Sequence, residues 1–141
     1  MGWANDFYDY VMTDPLYRKY KHSALNFPLM YAFSENYILP VSHDEVVYGK
    51  GSFIAKMFGS YEDKFRQLRA SILFIMTFPG KKLFFMGTEF GQFIEWDYKK
   101  GLDWSLLSFE KHRQTKDFVK SLNKFYLENS ALWAEDGSWN G

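Results

Sequence analysis

The sequence predicts an α/β fold with parallel strands, and three observations support this prediction. The short apolar run 37–41 shows no alternation of polar and apolar residues, which is typical of a strand buried on both faces, and 81–86 reads as a second buried strand. A long segment with helical spacing of its apolar residues separates them. Further helical patterns lie on either side, giving the order α, α, β, α, β, α. Strands that alternate with helices are joined by crossovers, so the two strands should be parallel neighbours.

Two helices are predicted before the first strand. Residues Asn5 to Met12 can form a short helix that ends at Asp14-Pro15, because the residue before a proline is disfavoured in the α region. Asn26 is a candidate N-cap for a second helix through Glu35, with Pro28 in its first turn.

The first strand and the longest apolar helix come next. The run Tyr37 to Val41 contains Pro40, which cannot donate to a sheet ladder and should therefore lie near the strand's end. A helix follows that starts at Ser60, which resembles a capping box with Asp63, and that stops before Pro79-Gly80.

The second strand and the last helix complete the pattern. Lys81 to Met86 reads as a buried strand that ends at Gly87. An amphipathic helix is predicted from about Lys111 to Glu128. Its apolar stripe consists of Phe118, Val119, Leu122, Phe125 and Tyr126.

Composition narrows the classes of function. The 141 residues carry 17 basic and 17 acidic side chains, so no charge excess favours nucleic acid or an anionic membrane. Cysteine is absent, which excludes disulfides and thiolate metal sites and is compatible with a reducing cytosol. His22, His43 and His112 lie far apart without metal-ligand spacing. We therefore expect no metal or other cofactor, no nucleic-acid or membrane partner, and a cytoplasmic location.

Candidate chemistry gathers where the two strands end. In parallel α/β folds the functional site lies at the carboxyl ends of the strands. These ends read Ser42-His43-Asp44-Glu45 and Gly87-Thr88-Glu89. Asp44 could stabilise developing positive charge, and His43 could bind a hydroxyl, although both could simply cap the next turn. Glu89 could pair with Asp44 as the second carboxylate of a glycosidase, or it could pair with a nearby Arg or Lys.

The aromatic residues, 21% of the chain, fall into two groups. One group lies on predicted apolar faces and is assigned to the core: Phe65, Phe74, Phe84, Phe85, Phe118 and Phe125. The other is predicted to lie in loops beside the site: Trp3, Tyr48, Trp96, Tyr98 and Trp104. Their rings could pack on the C–H face of a sugar, or they could serve loop packing alone.

Several motifs resemble the bacterial 1,4-α-glucan (glycogen) branching enzymes of the α-amylase superfamily. The central one is Leu39-Pro40-Val41-Ser42-His43-Asp44-Glu45-Val46-Val47-Tyr48-Gly49-Lys50. Upstream lie Met1-Gly2-Trp3, Asp14-Pro15 and Tyr31-Ala32-Phe33-Ser34-Glu35-Asn36, and downstream lie Pro79 to Gly87, Glu89-Phe90-Gly91-Gln92, Glu95-Trp96 and Leu102-Asp103-Trp104. The resemblance covers nearly the whole chain.

The resemblance implies a fold and a reaction. The fold is a (β/α)8 TIM barrel, of which 1–128 would be the C-terminal portion with about the last two strands, and 129–141 would begin the connection to a C-terminal β-domain. The reaction is a retaining double displacement that moves an α-1,4-glucan chain to a 6-hydroxyl. The family's Asp nucleophile and Glu acid/base precede this segment, so the chain alone is expected to be inactive and to need the N-terminal part of the same barrel.

The resemblance also assigns residues. Asp44 matches the family's transition-state stabiliser, and His43 matches the histidine that holds sugar hydroxyls. We expect His43, Glu45, Tyr48 and Trp96 to contact the α-glucan substrate, and Glu89 loses its proposed catalytic role. Tyr48 stands where the family commonly has His, and Thr88 where it has Gly or Asn.

Two alternatives remain at this stage: a related amylase-type hydrolase or trehalose-forming enzyme, and a noncatalytic glucan-binding module. Because the family barrel needs about 250 residues, we also expect exposed apolar surface on this chain, with poor solubility or self-association.

Overall fold

The computed structural model describes residues 2–34, 36 and 38–136. Its helices are α1 (Gly2–Met12), α2 (Ser23–Asn26), α3 (Tyr61–Thr77) and α4 (Glu110–Glu128), and its strands are β1 (Ile38–Val41) and β2 (Lys81–Phe84). Short 3-10 turns connect them at Arg18–Tyr20, Phe27–Met30, His43–Glu45, Ile54–Lys56, Thr88–Phe90, Trp104–Ser108 and Ser130–Leu132.

The two strands pair in parallel, as the sequence predicts. Ile38 lies opposite Lys81 and Val41 lies opposite Phe84, with α3 forming most of the crossover between the strands. Leu39 and Val41 are fully buried. The fold is therefore α/β with parallel pairing, and two strands are compatible with part of a barrel without forming one.

Helix α3 begins and ends where the sequence predicts. The N–H of Asp63 donates to Ser60 Oγ, and the N–H of Ser60 donates to Asp63 Oδ2, each at 3.3 Å. These bonds make the reciprocal capping box. The Ser60 hydroxyl also donates to Asp63 Oδ2 at 2.6 Å, and this bond, together with the one from the Ser60 N–H, holds the pKa of Asp63 below its usual value. The helix buries Phe65, Leu68 and Ile72 among others and ends at Thr77, ahead of Pro79.

The predicted helix from Asn26 to Glu35 is wrong. Asn26 is instead the last residue of the one-turn helix α2, its side chain makes no capping bond, and Phe27–Met30 is a 3-10 turn. Pro28 has no N–H to donate to the carbonyl of Ala24, so α2 cannot continue through it. After Pro28 the backbone bonds close over three residues instead of four, from the N–H of Tyr31 to the Pro28 carbonyl at 3.3 Å and from Ala32 to Leu29 at 3.4 Å, which gives 3-10 turns in place of the predicted α-helix. Glu35, like Tyr37 at the predicted start of the first strand, lies outside the described residues.

The predicted position of Trp3 in a loop is also wrong. Helix α1 begins at Gly2 instead of Asn5, and Trp3 is buried within it. Its ring stacks on Phe7 at 5.2 Å between centroids, and Phe7 stacks on Phe74 of α3 at 5.7 Å. Residues three and seven lie one turn apart on the same helix face, so Trp3 belongs to the core.

Two smaller differences concern β2 and α4. The strand ends at Phe84, not at Met86, so Phe85 belongs to the loop after it. Helix α4 begins at Glu110, next to the predicted Lys111, and buries Val119 and Leu122. Phe125 is not a core residue as predicted, because it lies at the edge of the apolar stripe and is 51% exposed.

Apolar surface is exposed on both strands and on the early turns, as expected from the sequence. Ile38 on β1 is 57% exposed, and Leu83 on β2 is exposed as well. Self-association of the chain stays a prediction. Among the described residues, no helix is both long and apolar enough to cross a bilayer.

The turn after β2 depends on a glycine. Gly91 has φ +70°, which is unfavourable for residues with a side chain. A Cβ built there would lie 3.0 Å from Phe65 Cε1 and 3.1 Å from Leu68 Cδ2, both on the buried face of α3. The close approach of this backbone to α3 therefore requires glycine.

We predict that Gly91→Ala lowers the free energy of unfolding by about 2–4 kcal/mol, combining left-handed strain with overpacking. Gly101→Ala is the matched control, since a Cβ there meets nothing within 4 Å. Urea denaturation of the three proteins measures the effect, and equal midpoints for the two variants would contradict it.

Lys82 links β2 to the end of α3. Its Nζ donates to the carbonyls of Phe78 and Gly80, the latter at 2.6 Å, and it lies 5.7 Å from the Tyr126 ring centroid. Burial lowers the pKa of Lys82 to about 8, against the partial opposition of Asp136. Asp136 itself pairs with Lys81 at 3.3 Å and accepts the N–H of Gly80.

We predict a pH-dependent stability contribution from Lys82. Below pH about 8 the folded state must bury a charged ammonium, whereas above it the folded state releases a proton that the unfolded chain retains up to about 10.5. The free energy of unfolding of the native sequence, relative to Lys82→Met, should therefore rise between pH 8 and 9.5. Denaturation of both proteins across this range tests the sign, and a flat or falling difference would refute it.

Candidate active site

The carboxyl ends of β1 and β2 lie side by side, because Val41 is paired with Phe84. The segments that leave these ends, 42–51 and 85–96, form the candidate site. The structure thus brings together the two strand ends that the sequence singles out.

His43 and Asp44 lie in the 3-10 turn directly after β1. His43 Nε2 is 3.1 Å from Asp44 Oδ1, and the two side chains are 57% and 69% exposed. The pair therefore directly follows the end of β1, and both side chains remain accessible to solvent. A carboxylate in this position is available to a ligand that approaches the carboxyl ends of the strands.

Two aromatic rings, those of Phe85 and Trp96, pack one after the other next to His43. Its ring lies 5.8 Å from that of Phe85, and Phe85 meets Trp96 edge to face at 5.1 Å. Trp96 is partly buried against the core, so one part of its ring is packed and the rest faces the site. Aromatic contacts of this kind fix ring orientation and hold the imidazole at the rim.

Glu45 and Lys50 form a second polar group beside the pair. Lys50 Nζ lies 3.3 Å from Glu45 Oε1 and donates to the Asp44 carbonyl at 2.6 Å. Lys56 Nζ in turn donates to the Lys50 carbonyl at 2.6 Å. The Glu45 carboxylate thus helps to hold its own loop, and its contact with a sugar stays a prediction.

Tyr48 projects from a strained turn. It has φ +57°, and it is the single non-glycine residue with positive φ in the described part of the chain. Its side chain is 95% exposed, so no packing compensates for this backbone conformation. Gly49 and Gly51 on either side of Lys50 also have positive φ.

Glu95 connects this turn to the loop that follows β2. Its Oε2 accepts the N–H of Gly49 at 3.0 Å, and its Oε1 accepts the N–H of Gly51. These two backbone hydrogen bonds hold the pKa of Glu95 below its usual value. Ser52 Oγ adds a bond to the Phe93 carbonyl at 2.9 Å, which draws the same two loops together.

The remaining predicted residues occupy different surroundings. Tyr98 and Trp104 are exposed, and Trp104 packs against Phe90 at 5.1 Å. Glu89 lies in the 3-10 turn Thr88–Phe90 and is partly buried. The predicted ion pair between Glu89 and a Lys or Arg does not occur among the described residues.

The site is an open rim without a deep pocket. The cavity beneath it holds about 10 Å³, is bounded by Val46, Gly87, Gln92 and Trp96, and can admit no more than a water molecule. His43, Asp44 and Tyr48 are instead exposed on the surface. No group of three potential metal-ligating side chains is found in the part of the chain that the structure describes.

Curated proteins of known activity match this chain closely. It is 54% identical over 136 residues to the 1,4-alpha-glucan branching enzyme GlgB of Halothermothrix orenii, covering 96% of the chain and 22% of that enzyme. It is 54% identical over 141 residues to that of Aquifex aeolicus, covering 100% of the chain and 22% of the enzyme. The resemblance to the 1,4-alpha-glucan branching enzymes is confirmed.

The match to the branching enzymes extends to further relatives. A branching enzyme of Clostridium perfringens, GlgB 2, is 56% identical over 137 residues, which is 96% of the chain and 21% of that enzyme. The chain thus spans about a fifth of the length of the branching enzymes it matches. No family model matches the chain.

Sequence reasoning missed two residues of the site. Phe85 was assigned to the core of the strand, but β2 ends one residue earlier, and Phe85 instead bridges His43 and Trp96. Glu95 was noted only as part of the motif Glu95-Trp96, which resembles the branching enzymes. Neighbouring positive-φ glycines in 49–51 were the signal that a carboxylate could bind their N–H groups.

We predict that Tyr48→Asn raises the free energy of unfolding by about 0.5–1 kcal/mol, because Asn tolerates the left-handed region and the exposed ring loses no packing. Tyr48→Phe keeps the strain and is the neutral control. Urea denaturation compares the three proteins. An Asn variant less stable than the native chain would show that the ring contributes to folding.

Proposed function

We propose that this chain forms part of the catalytic site of a 1,4-alpha-glucan branching enzyme. The parent enzyme would move an α-1,4-glucan chain to a 6-hydroxyl and so form the α-1,6 branches of glycogen, and it would act in the cytoplasm. The observation that carries the proposal is the identity of 52–56% with branching enzymes over 96–100% of the chain. The exposed His43–Asp44 pair at a strand end supports it.

In this proposal Asp44 stabilises the transition state. Cleavage of a glycosidic bond develops positive charge on the sugar ring, as an oxocarbenium-like species. A carboxylate fixed at a strand end needs little reorganisation to oppose that charge. Asp44 is accessible to a ligand, and the Lys50 bond to its carbonyl helps to fix its backbone.

His43 and the rings would hold the sugar. The second imidazole nitrogen of His43 can bond a hydroxyl while Nε2 faces Asp44 at 3.1 Å. Tyr48 and Trp96 would offer flat apolar faces to the sugar ring. Glu45 would contact a hydroxyl with the part of its carboxylate that Lys50 leaves free.

The retaining mechanism needs two further carboxylates, a nucleophile and an acid/base. In the branching enzymes that this chain resembles, these precede the segment represented here. We propose that residues 1–128 belong to the C-terminal portion of the (β/α)8 barrel and that 129–141 begin the connection to a β-domain. The isolated chain would then be inactive until the remaining part of the barrel covers its sheet edges.

A hydrolase or trehalose-forming enzyme with the same pair is less well supported, since each relative reported above is named a branching enzyme. The reactions differ in the acceptor: water yields new reducing ends, whereas a 6-hydroxyl yields α-1,6 bonds. Counting both products of one reaction separates them. A noncatalytic module would be revealed by retardation in glycogen gels without any α-1,6 product in the assembled protein.

We predict that Asp44→Asn, in a full-length enzyme that contains this segment, lowers the rate of branching by about 100-fold or more without unfolding. The substitution removes the charge and keeps the shape of the side chain. Iodine colour of amylose and the count of α-1,6 linkages measure the effect.

Glu89→Gln is the matched control, because it changes the carboxylate at the neighbouring strand end, and it should keep most of the activity. The isolated chain should form no α-1,6 linkages in the same assay. Near-normal turnover by Asp44→Asn, or branching by the isolated chain, would contradict the proposal.

A further inference from the structure

We propose that Glu95 is a positioning residue whose carboxylate holds the turn of residues 47–51 and thereby fixes Tyr48 beside His43 and Asp44. This inference deepens the proposed function and rests on it for the nature of the ligand, an α-1,4-linked glucan. It assigns a task to a carboxylate that touches neither the reacting atoms nor the sugar.

The first support is the geometry around the carboxylate. Each oxygen of Glu95 accepts one backbone N–H, from Gly49 at 3.0 Å and from Gly51. The partners are separated by 46 and 44 residues along the chain, so the contact joins the loops that follow different strands. A single side chain therefore fixes two points of the turn.

The second support is the conformation of the turn. Tyr48, Gly49 and Gly51 all have positive φ, and the N–H groups of Gly49 and Gly51 converge on one carboxylate. Such an arrangement attracts an anion, and hydrogen bonds to a charged acceptor are stronger than those to a neutral one. A glutamine side chain in place of the carboxylate would offer one acceptor oxygen to one of the two backbone N–H groups. Its own NH₂ group would then face the other backbone N–H, so that two donors would oppose each other.

The third support is how the turn is held elsewhere. Lys50 Nζ bonds to the Asp44 carbonyl, and Lys56 Nζ bonds to the Lys50 carbonyl. Both contacts come from the segment after β1, which contains the turn itself. Among the described residues, the hydrogen bonds that reach 48–51 from the second loop are those of Glu95. Without Glu95 residues 48–51 would lose their hydrogen bonds to that loop, and the bond of the neighbouring Ser52 to the Phe93 carbonyl would remain.

The consequence falls on Tyr48. Its side chain is 95% exposed, so the backbone of the turn sets the point from which the ring projects. Glu95 is followed directly by Trp96, whose ring packs on Phe85 next to His43. The segment 95–96 thus sets the positions of both rings that are proposed to hold the sugar.

The test uses the 141-residue chain, its Glu95→Gln variant and the control Glu89→Gln. In amide NMR spectra, Glu95→Gln should shift the Gly49 and Gly51 signals and speed their hydrogen exchange, while the control should leave them in place. Unchanged Gly49 and Gly51 amides would overturn the inference. Should Glu95→Gln lose its dispersed spectrum, Glu95→Asp keeps the charge but is too short for both donors, and one of the two amides should lose protection.

A double-mutant cycle with maltoheptaose tests the action through Tyr48. Glu95→Gln should weaken binding by about threefold to tenfold in the native background and have little effect in a Tyr48→Ala background. An equal loss in both backgrounds would show that Glu95 acts without Tyr48 and would overturn the inference. If the native chain binds no maltoheptaose, the proposed glucan site on this chain fails, and the amide signals alone decide whether Glu95 holds the turn.

Discussion

The parallel register of β1 and β2 is the constraint on which the rest of the structure depends. Because Val41 lies opposite Phe84, the chain leaves both strands at the same end of the sheet. His43, Phe85 and Trp96 therefore come within contact distance of one another. Helix α3 returns the chain to the start of β2 while it packs against α4 and the turn at 54–56 and stacks Phe74 on Phe7 of α1. Gly91 then brings the second loop against the same helix.

Beyond the strand ends, polar contacts to the backbone join the two loops above an apolar base in which Val46 and Val47 are buried. Lys50 and Lys56 bond to carbonyls within the first loop, and Glu95 binds its amides from the second. Polar contacts to the backbone leave the side chains of His43, Asp44 and Tyr48 free. The left-handed conformation of Tyr48 fits this arrangement, because strained backbone persists where the surroundings hold it, commonly at functional sites.

Local sequence patterns predicted much of the fold, whereas features that depend on contacts between distant segments could not be predicted. The capping box at Ser60 and the apolar spacing of α3 are determined within one segment, so both were correct. The predicted helix from Asn26 failed because Asn26 makes no capping bond and the following backbone bonds close over three residues, which an N-cap pattern in the sequence does not reveal. Trp3 was misplaced because its contact with Phe78 becomes visible only when α1 packs on the end of α3. In the site, the His43–Asp44 motif was evident, whereas Glu95 binds amides more than 40 residues away and has no local signature.

The central claim, that this chain carries one side of a branching-enzyme site, is tested most directly by segment exchange. The matching segment of the Aquifex aeolicus enzyme, 54% identical over 141 residues, would be replaced by this chain, and α-1,6 linkages formed from amylose would be counted. The account predicts activity within about tenfold of the unaltered enzyme, a difference of about 1.4 kcal/mol in the barrier. A folded exchange protein that forms no α-1,6 linkages would contradict it.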